Sequence, residues 1–334
     1  MVSASLPKKK SLGKRGIEMM NKVSIIIVSY NEKAYLQRAL ESCIRQTWSN
    51  IEIIIGDDGS SDGSVDIIKT FCHVHSNVQA RYFVMDRPDD VRNIIPSIRV
   101  SNLLKKGFEI ASGDYLVVLS ADDYFIDEAK IEKAVRFLSE NPKFCAYITG
   151  FKYVGAVEGD NYPRRSSKVL YWSGDYLHIS CFVFRRPQRL LDRFCDDTGL
   201  MYSLLLNGKW KFKHELSFAY YRREDSITSI TKQSELNTIE VMLYQDCLNS
   251  KARYRRATRA RFSRPALELF LHRDILKEPA YRKYLDNSIQ FNHNLLGQIA
   301  DYDKSSVLQK ARIVAIIVFM QIDDVLFKIL RKIL

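Results

Sequence analysis

Two adjacent carboxylates, Asp122 and Asp123, follow a short apolar run from Leu116 to Leu119. The run has the length and the β-branched content of one buried strand. Carboxylates at the end of a buried strand are unfavourable unless a cation lies beside them. Because Mg²⁺ and Mn²⁺ prefer oxygen ligands, the pair predicts a divalent metal bound together with a phosphate-bearing ligand. The alternative is an Asp-rich loop that caps the next helix.

Two further polar clusters also follow predicted strands. Ser29 to Asn31 come after the apolar run Val23 to Val28, and Asp57 to Asp62 come after Ile51 to Ile55. In an open parallel sheet, ligands bind outside the carboxyl ends of the strands, so the three clusters are expected at one edge. The competing interpretation of the second cluster is turn chemistry and helix capping.

Alternating strands and helices would position these clusters. The pattern predicts helices over 35–44, 64–73, 97–111 and 127–140, and further strands over 80–85, 115–119, 144–150 and 216–221. Such alternation indicates an α/β fold with a parallel sheet. The stretch from Gly155 to Gly174 breaks the pattern and is interpreted as a loop. The sequence has no GxGxxG after the first strand and no P-loop motif, which disfavours dinucleotide-binding Rossmann enzymes and P-loop nucleotidases.

Composition allows one large domain with an appendage, because the chain has 334 residues and 46% hydrophobic content. The six cysteines show no CxxC spacing, which argues against a zinc site or a disulfide framework and fits a reducing compartment. Residues 1–20 contain basic residues without a following apolar segment. They are predicted to form a disordered extension.

The net charge of +12 is concentrated in local runs, such as Lys251 to Arg264, which contains no acid. A nucleic-acid helix, a membrane-surface patch and a solvated helix all fit this run. A membrane surface is preferred and no nucleic acid is expected, because no nucleic-acid fold is recognised around it. Ile313 to Met320 is apolar but too short to span a bilayer. The amphipathic helix that continues to Ile333 is expected at a membrane interface, against the rest of the protein, or in a dimer seam.

Four stretches together resemble the inverting family 2 glycosyltransferases with a GT-A fold. In chain order they are VSIIIVSYNEKAYLQRALESCIRQTWSNIEIIIGDDGSSDGS, GFEIASGDYLVVLSADD, CDDTGLMYSLLLNGK and LSFAYYRREDSITS. The resemblance implies a GT-A domain over 21–232, with a Rossmann-like, mostly parallel sheet flanked by helices. An α-helical region over 233–334 would follow it.

The resemblance implies a nucleotide-sugar donor, UDP-linked, and a divalent metal, Mn²⁺ or Mg²⁺, held by Asp122 and Asp123. Asp197 would be the general base, with Asp196 assisting it or taking its place; the alternative for both is an acidic helix cap. His178 falls in the expected acceptor half. The residues implied in nucleotide-sugar binding are Val28, Tyr30, Asn31, Asp57, Asp58, Ser120 and Asp122.

The resemblance also implies a glycan or lipid-linked glycan acceptor, in cell-surface polysaccharide synthesis at the cytoplasmic face of the membrane. Three positions depart from the family pattern. Ser120 replaces the usual first Asp of the metal motif, Leu104-Lys105 replaces Arg-Asn, and Glu224 replaces a His. These departures keep open a non-catalytic relative that binds nucleotide sugars or acts as a membrane scaffold. A nucleotidyltransferase, which also uses carboxylates and a metal, is a third possibility.

Overall fold

The computed structural model describes residues 21–75, 78–87, 96–164, 167–173, 177–187, 197–224, 254–277, 295–300 and 302–333, together with 233, 237, 238, 241, 244 and 247. The predicted extension over 1–20 lies outside these residues. The strands are β1 (Val23–Ser29), β2 (Ile51–Asp57), β3 (Gln79–Val84), β4 (Tyr115–Ser120), β5 (Tyr124–Phe125), β6 (Phe144–Gly155), β7 (Gly159–Asn161), β8 (Phe182–Arg185) and β9 (Lys209–Arg222). The helices are α1 (Leu36–Ile44), α2 (Ser64–Val74), α3 (Pro96–Ile110), α4 (Lys130–Glu140), α5 (Lys168–Trp172), α6 (Asp197–Asn207), α7 (Arg255–Leu271), α8 (Leu295–Ala300) and α9 (Val307–Ile333).

The strands form one sheet in the order β3-β2-β1-β4-β8-β6-β9-β5, with β7 paired to β6. The four strands from β3 to β4 are parallel. Strand β8 then runs antiparallel to both β4 and β6, and β5 runs antiparallel to β9. The predicted α/β class is confirmed, and the parallel part of the sheet contains the three strands that precede the polar clusters.

The core strands are apolar on both faces because helices cover the sheet. On β1, the side chains of Ile25, Ile26 and Ile27 are fully buried. Helix α1 buries one face through Leu36, Leu40 and other residues at helical spacing. Burial of both sheet faces explains why these strands appear in the sequence as continuous apolar runs.

Two stretches differ from the sequence prediction. The interpreted loop between Gly155 and Gly174 contains β7 and α5, and Trp172 on α5 is fully buried with its indole N–H donating to Thr258 at 3.2 Å. Strand β9 begins at Lys209, well before residue 216, because it pairs with β6 over most of its length. Both differences come from long-range contacts that local periodicity does not record.

Part of the basic run contacts other helices, although Arg256 and Arg264 remain exposed. Arg256 and Arg259 donate to the two carboxylate oxygens of Asp323 on α9, at 2.9 and 2.5 Å. Arg261 donates to the hydroxyl of Thr198 on α6 at 3.1 Å. The run therefore joins α6, α7 and α9, and the membrane surface predicted from it stays a prediction. In the described part of the chain, no helix is both long enough and apolar enough to cross a membrane.

A buried carboxylate, Glu52, ties β1, β2 and the turn before β4 together. Its Oε1 accepts from the Ser24 hydroxyl at 2.5 Å and from the Ser112 backbone N–H at 2.6 Å. Its Oε2 pairs with Arg81 at 2.7 Å. Burial by itself would raise the pKa of Glu52, but these hydrogen bonds outweigh burial and lower the pKa from 4.5 to about 2.

We expect Glu52→Gln to lower the free energy of unfolding at neutral pH by about 2 kcal/mol, because charged hydrogen bonds inside the sheet are lost. The folded pKa of Glu52 lies below the unfolded value, so the wild-type advantage is present above pH 4.5 and is lost as the pH falls towards 2. Urea unfolding at several pH values measures this difference. Glu140→Gln, an exposed change at the end of α4, is the control. A deficit in Glu52→Gln that stays constant through this acid range would contradict the explanation.

Candidate active site

The carboxyl ends of β1, β2 and β4 form one edge of the sheet and bring the three polar clusters together. Ser29 lies opposite Asp57, and Val28 lies opposite Ser120. The backbone N–H of Asp58 donates to the carbonyl oxygen of Ser29 at 2.9 Å. The convergence predicted from the strand ends is therefore confirmed.

Hydrogen bonds lock the loops after β1 and β2 to each other. Asn31 has a left-handed backbone with φ of 54°; its N–H donates to the Ser60 hydroxyl at 2.8 Å, and its Oδ1 accepts from the Ser61 N–H at 2.9 Å. The Asp57 carboxylate accepts from the N–H and the hydroxyl of Ser60, both at 2.7 Å. Asp57 thus performs the turn chemistry that was its alternative interpretation. A role of Asp57 or Asn31 in nucleotide binding stays a prediction.

Asp58 is buried between two arginines that sequence analysis missed. Arg99 donates a short hydrogen bond to its Oδ1, and a guanidinium nitrogen of Arg87 lies 3.7 Å from its Oδ2. The same Arg87 guanidinium lies 3.8 Å from the ring centroid of Tyr30, which is 39% exposed. The partly exposed ring of Tyr30, next to the fixed carboxylate of Asp58, can bind a planar ring that carries an N–H donor.

Asp123 is a fully buried carboxylate of the site. Its Oδ1 accepts from the backbone N–H of Tyr221 on β9 at 3.0 Å, whereas its buried Oδ2 makes no hydrogen bond to the described part of the protein. Burial, and then the charge of Asp122, raise the pKa of Asp123 well above its usual range; Asp197 and Glu32 raise it further. Asp123 and the three carboxylates that act on it therefore come from three segments of the chain.

Two arginines face these carboxylates. Arg223 donates to both carboxylate oxygens of Glu32, at 2.9 and 2.7 Å, and lies 3.6 Å from Asp122 Oδ2. Arg38 donates to the backbone carbonyl of Asp122 at 3.2 Å. Sequence analysis considered Glu224 as the replacement for a family His, but Glu224 is exposed and its neighbour Arg223 reaches the acidic site. The missed signal was this extra arginine directly after Arg222.

A buried lysine and a buried histidine lie next to Asp123. The Lys130 ammonium donates to the Ser180 carbonyl and lies about 5 Å from one phenylalanine ring on β5 and one on β9. Burial lowers the pKa of Lys130 to about 8. Burial and the Lys130 charge lower the pKa of His178 to about 3, so its imidazole is neutral. Since its Nδ1 accepts from the Ser180 N–H at 3.2 Å, the proton is assigned to Nε2, which lies 3.7 Å from Asp123 Oδ2.

Asp197 is the first residue of α6 and is partly exposed. Its negative charge is one of those that raise the pKa of Asp123, which places it at the same site. A helix N-terminus stabilises the ionised carboxylate, so capping and a chemical role are compatible. Asp196 lies outside the described residues.

The residues present fit a divalent metal that receives two carboxylate ligands from the protein and its other ligands from a bound phosphate group and water. Within the described residues, no group of three or more His, Cys, Asp or Glu side chains is arranged to hold an ion. Mg²⁺ in phosphate-transfer sites is commonly bound through one or two carboxylates, with phosphate and water oxygens completing the shell. Asp122 and the unbonded Asp123 Oδ2 can supply those carboxylates. Ser120, at the end of β4, keeps one further oxygen at the motif position.

The sequence matches the model of glycosyl transferase family 2 over residues 24–202, more than half of the chain. The protein belongs to this family. An uncharacterized glycosyltransferase of Haemophilus influenzae is 36% identical over 120 residues, which are 36% of this chain and 43% of that protein. The uncharacterized glycosyltransferase YibD of Escherichia coli K12 is 35% identical over 103 residues, or 31% and 26% of the two chains. The alignments thus span less than half the length of these curated relatives.

Solved structures of glycosyltransferases share the fold. S. aureus TarS 1-349 in complex with UDP-GlcNAc superposes with a TM-score of 0.56 and 15% identity, covering 92% of this chain and 91% of TarS 1-349. The mannosyltransferase PcManGT of Pyrobaculum calidifontis, in complex with GDP-Man and Mn²⁺, gives a TM-score of 0.55 and 12% identity, covering 91% and 87%. At this identity the likeness concerns the fold, and it confirms the GT-A architecture expected from the resemblance.

We expect Asp123→Asn to raise the melting temperature measured in a chelator, because it removes a buried charge that burial and neighbouring carboxylates disfavour. The Asn oxygen can still accept from Tyr221. A gain of about 1 kcal/mol corresponds to a few degrees in a chain of this size. Calorimetry on wild type and variant measures it.

Asp62→Asn provides the contrast to Asp123→Asn. The Asp62 carboxylate accepts from the hydroxyl and N–H of Ser64 and from the Lys33 N–H, and these bonds lower its pKa. This substitution should therefore lower the melting temperature. A lower melting temperature for Asp123→Asn as well would show that the site stabilises the ionised form of Asp123.

Proposed function

We propose that this glycosyltransferase moves one sugar from a nucleoside-diphosphate sugar, UDP-linked, to a hydroxyl of a glycan or lipid-linked glycan, with inversion at the anomeric carbon. The observation that carries the proposal is the meeting of Asp122 and Asp123 at the sheet edge, beside the surface formed by Tyr30 and Asp58, with the charge of Asp197 acting on Asp123. Similar folds are known in complexes with UDP-GlcNAc and with GDP-Man, which supports the donor class.

The donor's base would lie against Tyr30 and Val28 at the end of β1. Arg99 fixes the Asp58 carboxylate through one oxygen. Each carboxylate oxygen has two acceptor positions, so Asp58 can accept the imide N–H of uracil without losing Arg99. The contacts of Asp57 and Asn31 would act by holding the loop on which Asp58 lies.

Asp122 and Asp123 would hold a divalent metal, Mn²⁺ or Mg²⁺, which supplies Lewis-acid stabilisation of the diphosphate as it leaves. Ser120 would contribute an oxygen towards the donor. Arg223, next to Asp122, adds a fixed positive charge on the same side. The buried residues Lys130 and His178 would hold the Asp123 carboxyl group in place from the interior side of the protein.

Asp197 would act as the general base. It accepts the proton of the acceptor hydroxyl while that oxygen attacks the anomeric carbon from the face opposite the diphosphate. It lies in the first turn of α6, where the helix dipole favours a negative charge. Asp196 is proposed to assist it or to replace it.

We place the catalytic domain in residues 21–232, because the family match and every strand of the sheet fall within this range. The helical region over 233–334 would hold the enzyme at the inner face of the cell membrane, where lipid-linked acceptors of cell-surface polysaccharide synthesis are available.

Replacing the proposed base tests the reaction. We expect Asp197→Asn to lower the rate of sugar transfer by about 10²-fold or more, with little change in UDP affinity, because the amide cannot accept the proton. Transfer is followed by release of UDP. Asp160→Asn, an exposed change on β7, is the matched control. A variant that keeps most of its rate would refute the base assignment, and release of pyrophosphate in place of UDP would identify a nucleotidyltransferase.

Calorimetric titration tests the donor site without any acceptor. We expect UDP to bind in the presence of Mn²⁺ in preference to GDP and CDP, and binding to be lost without metal and in Asp122→Ala, because the diphosphate charge is then uncompensated. Equal UDP binding with and without metal would contradict the metal assignment. Failure of all three nucleotides to bind would contradict the donor site.

A further inference from the structure

The last helix, α9, packs on the protein through a face that combines the apolar side chains Ile313, Ile317 and Met320 with polar ones. Asp323 is buried and receives both Arg256 and Arg259 of α7. The Gln321 amide donates to the carbonyl of Ser263 on α7 at 2.6 Å. These contacts fix the rotation of α9, because turning the helix about its axis would leave the buried Asp323 carboxylate without its arginine partners.

The opposite face of α9 is apolar and exposed. Ten large hydrophobic side chains between Val307 and Leu330 have exposed fractions from 38% to 85%. Their helical spacing gives one stripe along the helix; its central members are Val314, Val318, Phe319, Ile322, Val325 and Ile329. Contiguous exposed apolar surface of this kind marks an interaction site in a water-soluble chain.

The charges on α9 indicate which partner fits this stripe. The only acids of the helix, Asp323 and Asp324, are buried on the inner face. Arg312, Lys328 and Lys332 are exposed, and although Lys328 pairs with Asp324 at 2.7 Å, the exposed charged side chains described on this helix are all cations. Two copies of the helix joined through the stripe would bring these cations together, whereas anionic lipid head groups would neutralise them.

We propose that the apolar stripe of α9 lies in the head-group region of an anionic phospholipid bilayer, parallel to its plane. The helix has 27 residues but is not apolar enough to cross the bilayer, which agrees with a helix that lies on the surface. The stripe enters the acyl boundary, and the exposed lysines and arginine reach lipid phosphates. This inference deepens the proposed membrane location and does not depend on the sugar-transfer chemistry.

Vesicle co-sedimentation of the full chain, without donor or acceptor, tests the inference. The full chain should bind vesicles of phosphatidylcholine mixed with phosphatidylglycerol more tightly than vesicles of phosphatidylcholine alone, and salt should weaken the difference. Ile322→Glu should lower binding to the mixed vesicles by about tenfold or more, because a charge enters the apolar stripe. Phe319→Asn should weaken binding in the same direction.

Val157→Glu is the matched control, because Val157 is a comparably exposed valine in the turn between β6 and β7. It should bind as wild type does. Arg312→Gln combined with Lys332→Gln should weaken binding to the anionic vesicles only. Thermal unfolding shows whether each variant remains folded.

Undiminished vesicle binding by folded Ile322→Glu would overturn the inference, and so would failure of the wild-type chain to bind anionic vesicles. Sedimentation velocity without lipid tests whether a second copy of the chain covers the stripe. A dimer that Ile322→Glu dissociates would assign the stripe to a second copy of the chain instead. Because none of these readouts involves sugar transfer, failure here would leave the proposed reaction intact.

Discussion

The buried negative charge of Asp123 is the constraint on which the site depends. A carboxylate with no solvent access needs compensation, yet one of its oxygens accepts a single backbone N–H and the other makes no hydrogen bond within the described residues. Three other carboxylates raise its pKa further. Other parts of the protein must offset the unfavourable burial of this carboxyl group. The apolar strands on both sides of β4 contribute that stability. We propose that a cation bound together with the donor's phosphates supplies the missing compensation.

The cations near Asp123 and Asp58 differ in burial and in hydrogen-bond partners. They therefore differ in how they can act on these carboxylates and on a bound substrate. Lys130 is enclosed by two aromatic rings and a carbonyl, so it acts on Asp123 only through its field. Arg223 is partly exposed and divides its guanidinium between Glu32 and Asp122, at the side from which a donor would enter. Arg99 is buried, pairs with Asp58 and also donates to the backbone carbonyl of Asp86, so it holds the Asp58 carboxylate in one position. Fixed charges of this kind lower the cost of reorganisation when a charged substrate binds.

The helical region is connected to this site through α7. Arg256 and Arg259 donate hydrogen bonds to Asp323 of α9. Arg261 on the same helix donates to Thr198, which is next to Asp197. A basic run that suggests an external polyanion thus also connects α6, α7 and α9, although part of it remains exposed. The apolar stripe of α9 faces outward because the acids and one set of apolar side chains of that helix are buried. The ion pairs and this apolar packing together determine which surface of α9 is presented.

The sequence alone was sufficient for the elements whose signal is local. The apolar runs of β1, β2 and β4 and the acids after them defined the parallel sheet and the edge at which Asp58, Asp122 and Asp123 meet, because side-chain periodicity and the strand-end rule need no distant contacts. The tertiary structure decided which groups face those acids. Arg223 and His178 reach the acids because β8 and β9 join the sheet after β4, whereas Arg87 and Arg99 come from the segments that follow β3. Periodicity encodes neither arrangement. The tertiary structure likewise decided that α9 buries its aspartates and exposes its apolar side, because that choice depends on the arginines of α7.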